Sequence, residues 1–342
     1  MGVTRDDVAR KAGVSTAVVS YVLNDGPRPV SPETREKVLR AIDELGYRAN
    51  FIARSLRAQR THMLGVIVPD SSNQFYSEVA KGIGDMAYSR HHTLILGSTN
   101  GDFERQSLLV ENYVSHKVDG LIFITMEVLK EDVDLLEQYS TPAVYVSPEG
   151  DLDPSVANRI SSITIDSEGG GYAAGRHLVE RGHVRLACIT GGSPLGQSGL
   201  WSWNRVNGFV RAVEEGGGQV QIIQADEYPG EGQQATLKLM AGSDRPTAIF
   251  TSNDMLAVGV LRAAADLHLS VPHDLAVCGF DDIGLASYVT PRLTTVRIDK
   301  YALGWKAASR LFARLDQLHH PAPADPSSPE TFMAELIVRE ST

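Results

Sequence analysis

Arg54, Arg57 and Arg60 recur every third residue in the stretch RANFIARSLRAQRT, residues 48–61. At that spacing they share one side of a helix, while Ile52, Ala53 and Leu56 supply its apolar side. A strip of guanidinium groups is suited to holding a polyanion. A second set of polar residues stands further along. Asp70-Ser71-Ser72-Asn73, Asn253-Asp254 and Asp281-Asp282 each follow a short apolar run. Carboxylates and amides at equivalent strand ends can hydrogen-bond one polar ligand in a shared cleft. Nothing pairs a nucleophile with a base: G-x-S-x-G and G-x-x-x-x-G-K-[ST] do not occur. GEGQQA, residues 230–235, fits G-x-G-x-x-A, but it lies deep in the second half and follows a Pro-containing turn. The ten histidines show no metal-ligand spacing, and His91-His92 and His319-His320 are only adjacent pairs. The expected chemistry is therefore binding, with no catalysis, no cofactor and no metal.

Charge divides along the chain in the same sense. The first sixty residues hold 11 Lys/Arg against 7 Asp/Glu, and the remainder 21 against 35. A basic module that can meet a polyanion is thus joined to an acidic body that cannot. The basic segment reads as helices. Thr4 caps the first, with Asp6 and Asp7 at its positive end and Val8, Ala9 and Ala12 facing inward. Gly13 allows a tight turn, Val14 plugs the corner, and Ser15 caps a second helix with Val18, Val19 and Val22 inward. Small Ala9 at the crossing and Gly13 at the turn match the helix-turn-helix template. The second helix then presents Thr16, Ala17, Ser20 and Tyr21 to the major groove. Ser31, Pro32 and Gly46 bound a third helix lined by Val38, Ile42 and Leu45.

From Met63 onward strand and helix patterns alternate. MLGVIVP, HTLILGST, GLIFIT and PAVYVS read as strands, and the rhythm restarts at SSITID, RLACITGG, QVQIIQAD, TAIFTSND and LAVCGFDD. The fold class is α/β: a helical head and a linker helix, then two parallel-sheet subdomains with helices on both faces. At 342 residues, 42% apolar and 22% charged, the chain is an ordinary globular protein of two or three domains. No apolar run approaches the ~18 residues of a membrane span. The N-terminus lacks the apolar stretch of a secretory signal, and Cys188 and Cys278 sit in apolar runs as buried reduced thiols. A cytoplasmic protein is expected.

Many stretches occur in the order of one family. DVARKAGVSTAVVSYVLN, VSPETREKVLRAIDELGY and NFIARSLR stand in the first sixty residues. GRHLVERGH, WNRVNGF, RPTAIFTSNDMLAVGVL, GFDDI, TPRLTTV and LIVREST follow in the body. In these the chain resembles, essentially end to end, the lactose-repressor/galactose-repressor (LacI/GalR) family of bacterial transcription regulators. The resemblance implies a homodimer on a palindromic double-stranded operator, most often as a repressor, controlled by a small-molecule effector. It implies that the linker is a hinge helix in the minor groove, with Leu56 wedged into the central base step and Arg54 and Arg57 on phosphate. The base-reading positions it implies are Thr16, Ala17 and Tyr21, while Ser15, Ser20 and Asn24 position the helix. Many members carry arginine at the place of Tyr21, which puts the commonest half-site in doubt at that base.

The effector contacts so implied are Phe75 or its neighbours, Arg205, Asn253, Asp254 and Asp281. Asp281 and Arg205 fix hydroxyls or a carboxylate, and Trp201 and Trp203 stack on an apolar sugar face. Ser147 replaces an aspartate found in many members, and Tyr228 stands for an aromatic group near Glu227. These departures leave the effector's identity open: a sugar first, then a related metabolite. The domain limits expected are a head at 1–46, a hinge at 47–60, and a body at 61–342. Within the body, 61–160 with 291–320 form one subdomain and 161–290 with 321–342 the other. HHPAPADPSSPE reads as a Pro-rich crossing, and no heptad tail follows Thr342, which favours a dimer. The rival reading is a sugar-binding receptor of a transport system with no transcriptional role, because the family's body shares its fold with periplasmic receptors. The head and the missing signal peptide speak against it, and the missing catalytic set speaks against an enzyme.

Overall fold

The computed structural model describes residues 3–24, 26, 28–48, 60–125, 127–147, 154–157, 159–191, 203–319 and 330–342, with the backbone alone at 24, 154, 157 and 319. The chain divides into two compact units, 1–61 and 62–342.

The first unit contains α1 (Arg5–Ala12), α2 (Thr16–Asn24) and α3 (Pro32–Leu45). Local chemistry sets each boundary. Thr4 Oγ1 accepts the Asp7 N–H at 3.3 Å while the Asp7 carboxylate takes the Thr4 N–H at 2.9 Å, a reciprocal cap. Gly13 stops α1 at φ 67°, where a Cβ would be strained. Ser15 Oγ accepts from Val18 N, Ser31 Oγ from Thr34 N, and Pro32 opens α3 where no donor is lost. Val8, Ala9, Val19, Val22, Val38, Ala41 and Tyr47 make the core, with Ala12, Val14, Ile42 and Leu45 against it. Val18 is only half-buried, because α2 turns Val19 and Val22 fully inward.

The second unit holds two sheets. The first runs β11-β5-β4-β3-β1-β2, with β1 (Met63–Val68), β2 (Thr93–Ser98), β3 (Gly120–Phe123), β4 (Ala143–Ser147), β5 (Ser161–Ile165) and β11 (Glu330–Phe332), every pair parallel. The second runs β12-β10-β9-β8-β6-β7, with β6 (Arg185–Gly191), β7 (Gln219–Ala225), β8 (Ala248–Thr251), β9 (Ala276–Asp281), β10 (Thr294–Arg297) and β12 (Glu335–Ile337); only β12 is antiparallel. β3, β8 and β9 are buried throughout, as strands covered on both faces must be, and their runs are correspondingly apolar. The edge strands β2, β7, β11 and β12 are the more exposed ones. Helices α4 (Gln74–Ser89), α5 (Phe103–Ser115), α6 (Lys130–Gln138), the short α7 (Pro154–Ala157) and α12 (Lys300–His319) accompany the first sheet. Helices α8 (Ser167–Glu180), α9 (Trp203–Glu215), α10 (Pro229–Ala241) and α11 (Asp254–Asp266) accompany the second.

The sheets correct the expected subdomain limits. β5, read as opening the second block, pairs with β4 in the first sheet. β10, assigned to the first subdomain, pairs with β9 in the second. β11 belongs to the first sheet and only β12 to the second. The chain therefore crosses after β5, after β10 and between β11 and β12, several residues beyond the expected 160, 290 and 321. Each strand completes its sheet before the chain leaves it, because a strand left unpaired would carry unsatisfied backbone groups. The Pro-rich 320–329 segment and hinge residues 49–59 lie outside the described residues. Cys188 and Cys278 are free and buried, and burial pushes the Cys188 thiol up to about 12. Among the described residues, no helix is long and apolar enough to cross a membrane.

Candidate functional site

In the first unit the outer side of α2 carries the expected reading groups. Ser15, Thr16 and Ala17 are exposed, whereas Ser20 and Tyr21 are half-buried. The Tyr21 ring lies against Gly26, so that a Cβ there would meet Tyr21 Cδ1 at 2.6 Å. The Asn24 side chain lies outside the described residues, as do Arg54, Leu56 and Arg57. On α3, Lys37 pairs with Glu33 at 2.8 Å and Arg40 with Glu36 at 2.7 Å. These exposed i,i+4 pairs read as a solvated face.

In the second unit, strand order locates a cleft. Each sheet reverses its winding between its first and next-paired strand: β1 and β3 in one, β6 and β8 in the other. Ligands bind beyond the carboxyl ends of strands at such switch points. In the second sheet the two switch-point strands, β6 and β8, and their neighbours β7 and β9 each lead to a polar group. The connection after β6 leads to Arg205 in the first turn of α9, β7 to Glu227, β8 to Ser252 and Asn253, and β9 ends in Asp281. The first sheet delivers Asp70 after β1, then Gln74, Phe75 and Tyr76 in the first turn of α4.

Arg205 is the centre of this group. Its Nη1 donates to Ser252 O at 2.5 Å, stands 3.8 Å from Asp281 Oδ1, and its guanidinium lies 4.1 Å from the centre of the Phe280 ring. Close packing of α8 on α9 fixes the arginine's backbone: Gly171 leaves no room for a Cβ beside Arg205 O. Asn253 caps α11, its Oδ1 accepting from Leu256 N at 2.9 Å. Its buried Nδ2 makes no hydrogen bond of standard geometry among the described residues, but the Asn253 side chain is near enough to Glu227 to favour the ionised carboxylate. Asp281 has φ 107° and Asp282 φ 49°, both positive. Lys300 holds this backbone, its Nζ donating to Asp281 O at 2.7 Å and to Asp282 O at 2.8 Å.

Acids outnumber cations here, and burial raises their proton affinity. Burial lifts Asp281 from 3.8 to about 7, against the opposing pull of Arg205 and Lys300. Burial also raises Glu227, with Arg205 and Asn253 pulling it back. The Tyr76 phenol is pushed well above its ordinary value by burial, then by the Glu227 and Asp281 carboxylates. A carboxyl lifted to about 7, as Asp281 is, can both donate and accept hydrogen bonds near neutral pH.

The expected effector residues separate on this geometry. Arg205, Asn253 and Asp281 come together. Asp254 is 1% exposed and is committed inside the fold, accepting from Ile283 N at 2.8 Å and Thr295 Oγ1 at 2.5 Å. Phe75 belongs to the apolar core, and the neighbouring Tyr76, in an edge contact with it at 5.2 Å, feels the cleft charges. Tyr228 is 57% exposed, and the preceding Glu227 is the residue that meets Arg205 and Asn253. Ser147 is buried at the end of β4. Trp203 opens α9 and is 39% exposed, and Trp201 lies outside the described residues. Sequence reasoning did not single out Tyr76 or Gln74 by name. The Gln74 amide oxygen accepts from Leu285 N at 3.4 Å, joining an element of the first sheet to one of the second.

A three-helix head and a two-sheet body with a polar cleft define a ligand-binding regulator of DNA. The comparisons agree. The model of bacterial regulatory proteins of the lacI family matches residues 4–50, and that of a periplasmic binding protein-like domain matches residues 175–342. Catabolite control protein A of Priestia megaterium is 38% identical over 319 residues, covering 92% of each chain. The ribose operon repressor of Escherichia coli (strain K12) is 38% identical over 323 residues, covering 92% of this chain and 93% of its own. A crystal structure of the lac repressor dimer bound to operator and the anti-inducer ONPF superposes with a TM-score of 0.82 at 27% identity, covering 100% of this chain and 99% of that one. The chain belongs to the lacI family of bacterial regulatory proteins. It is a ligand-responsive DNA-binding transcription regulator and not an enzyme, and it works in the bacterial cytoplasm.

Proposed function

We propose that the chain is a repressor that binds a palindromic operator as a homodimer and is controlled by a sugar or related metabolite in the body's cleft. On DNA, Thr16, Ala17 and Tyr21 read bases from the major groove, and Ser15, Ser20 and Asn24 position α2 on phosphate. Leu56 wedges into the minor groove, with Arg54 and Arg57 on the flanking phosphates. The protein resides on the nucleoid. A tyrosine at position 21 makes no bidentate bond to guanine, so the half-site differs there from one read by arginine.

In the cleft, Arg205, Asp281, Asn253 and Glu227 bind the ligand's hydroxyls, with Tyr76 beneath, while Trp201 and Trp203 stack on the apolar face of the sugar. Ser147 and Tyr228 complete the surround, Phe75 supports Tyr76, and Asp254 holds the loop that carries Asp281. The observation that carries the reading is the convergence of Arg205, Glu227, Asn253 and Asp281 from four separate strand ends of one sheet. A hydroxyl both donates and accepts, which suits carboxyls of raised proton affinity beside one guanidinium. The relative named as a ribose operon repressor supports a neutral sugar. A thermal-shift screen of neutral sugars, sugar phosphates and nucleosides tests it. A neutral sugar that raises the melting temperature of the wild type and not of Arg205→Ala is expected. A ligand that stabilises both equally contradicts the site.

A further inference from the structure

The opposite end of the first sheet carries a second cluster. His62, His92 and Asp119 immediately precede β1, β2 and β3, three adjacent parallel strands. Their positions in sequence lie tens of residues apart, which is why histidine spacing gives no sign of them. One potential ligand atom from each lies within 4.8 Å of the others. His92 Nε2 is 3.1 Å from Asp119 Oδ2, with the two side chains 9% and 6% exposed. The backbone around them is tied. His62 N donates to Asp119 Oδ2 at 3.0 Å, Thr93 N to His62 O at 2.8 Å, and Asp119 N to Met63 O at 2.8 Å. His62 itself has φ 52°, the left-handed conformation that non-glycine residues seldom adopt.

The orientation of His92 is informative. Its Nδ1 lies 2.7 Å from the carbonyl oxygen of Arg90. A carbonyl only accepts, so Nδ1 carries the proton and the neutral ring's lone pair is on Nε2. That lone pair faces a carboxylate oxygen. Two acceptors at 3.1 Å require something positive between them, either a proton or a metal ion. A backbone carbonyl on the distal nitrogen is how metal-binding histidines are held in their tautomer. Ligand bonds of ~2.0–2.1 Å in a tetrahedron place neighbouring ligand atoms ~3.4 Å apart, close to the His92–Asp119 spacing.

We propose that His62, His92 and Asp119 form a binding site for a divalent transition-metal ion of the zinc type, at the entrance to the body and away from the ligand cleft. Two imidazoles with one carboxylate suit zinc, cobalt or nickel and not calcium or magnesium, which take all-oxygen sets. Three protein ligands without a thiolate leave a position for water and make the ion exchangeable. The ion would link the first residue of the body to the starts of β2 and β3, immediately beyond the chain that leads from the head.

Titration of the full chain with Co2+, read by visible ligand-field absorption, tests the proposal. One ion per chain is expected, with the intense bands of low-coordinate cobalt, bleached by Zn2+. His92→Gln and Asp119→Asn should each weaken binding by about tenfold or more. His91→Gln, at the exposed neighbour, should leave it unchanged. Absence of the bands from the wild type, or their retention in His92→Gln, overturns the site and leaves a proton-bridged pair. Should either variant fail to fold, anomalous diffraction at the zinc edge from wild-type crystals decides. A peak among the three side chains supports the site, and a peak elsewhere or none overturns it.

Discussion

Asp281→Asn should make the ligand-free protein more stable, and increasingly so as pH rises. The carboxyl is 5% exposed and its pKa is lifted from 3.8 to about 7, by burial first. A carboxyl that holds its proton more tightly in the folded chain takes up a proton on folding throughout the window between 3.8 and 7. Stability from this group is therefore greatest below the unfolded value and is lost as pH climbs through the window, levelling off above the folded value. At 1.36 kcal/mol per pH unit, a window roughly three units wide sets a ceiling of about 4 kcal/mol. Relaxation and water entry reduce this to about 2 kcal/mol at pH ~8, and the effect shrinks below about 1 kcal/mol at pH ~5. Asparagine resembles the protonated acid in shape, and the Lys300 bonds go to backbone carbonyls, which the change leaves in place. Repulsion from Glu227 also disappears, which acts in the same direction. Urea unfolding of both proteins at pH 5, 6.5 and 8 without ligand measures the gap. A variant less stable than the wild type at pH 8, or a gap constant with pH, would refute the reasoning and make the Arg205–Asp281 contact a net stabilising ion pair.

Other outcomes follow from the same geometry. Arg205→Ala should cost about 2–5 kcal/mol in effector binding, since it strips a buried, paired guanidinium from the cleft, while operator affinity of the ligand-free protein stays near wild type; calorimetry and operator titration read the two. Gly171→Ala should destabilise the body by about 1–3 kcal/mol and weaken effector binding too, because a methyl group there drives α8 away from the backbone of Arg205; unfolding and ligand titration check both. Leu56→Ala should reduce operator affinity and bending by at most a few kcal/mol and spare effector affinity, as removal of a minor-groove wedge does; wild-type bending in the variant would assign Leu56 to linker packing.

The head was legible because its determinants are local. Thr4, Gly13, Ser15, Ser31 and Pro32 each act within a few residues, and each does in the structure what its type implies. The alternation of strands and helices was legible for the same reason. Sheet membership was not: the apolar runs of β5 and β10 look alike whichever sheet they join, and pairing partners far away in sequence decide. In the cleft, Asn253 and Asp281 stand at strand ends that the sequence pattern marked as polar, whereas Arg205, on α9, was indicated by the family resemblance alone. Tyr76 and Glu227 lie one residue from the expected Phe75 and Tyr228. One step along a helix or strand end swings a side chain to another face, and single-sequence patterns do not resolve that step. His62, His92 and Asp119 meet only through parallel pairing of three strands, a purely tertiary event.

The most direct test of the account is selection of duplex DNA from a random library by the full chain, with and without a ligand found by thermal shift. The account expects enrichment of an inverted repeat with two half-sites, an affinity that falls steeply with salt as phosphate contacts release counterions, and a change in that affinity when the ligand is added to wild type but not to Arg205→Ala. Recovery of no sequence preference, or an inverted repeat whose affinity the cleft ligand leaves unchanged, would contradict it.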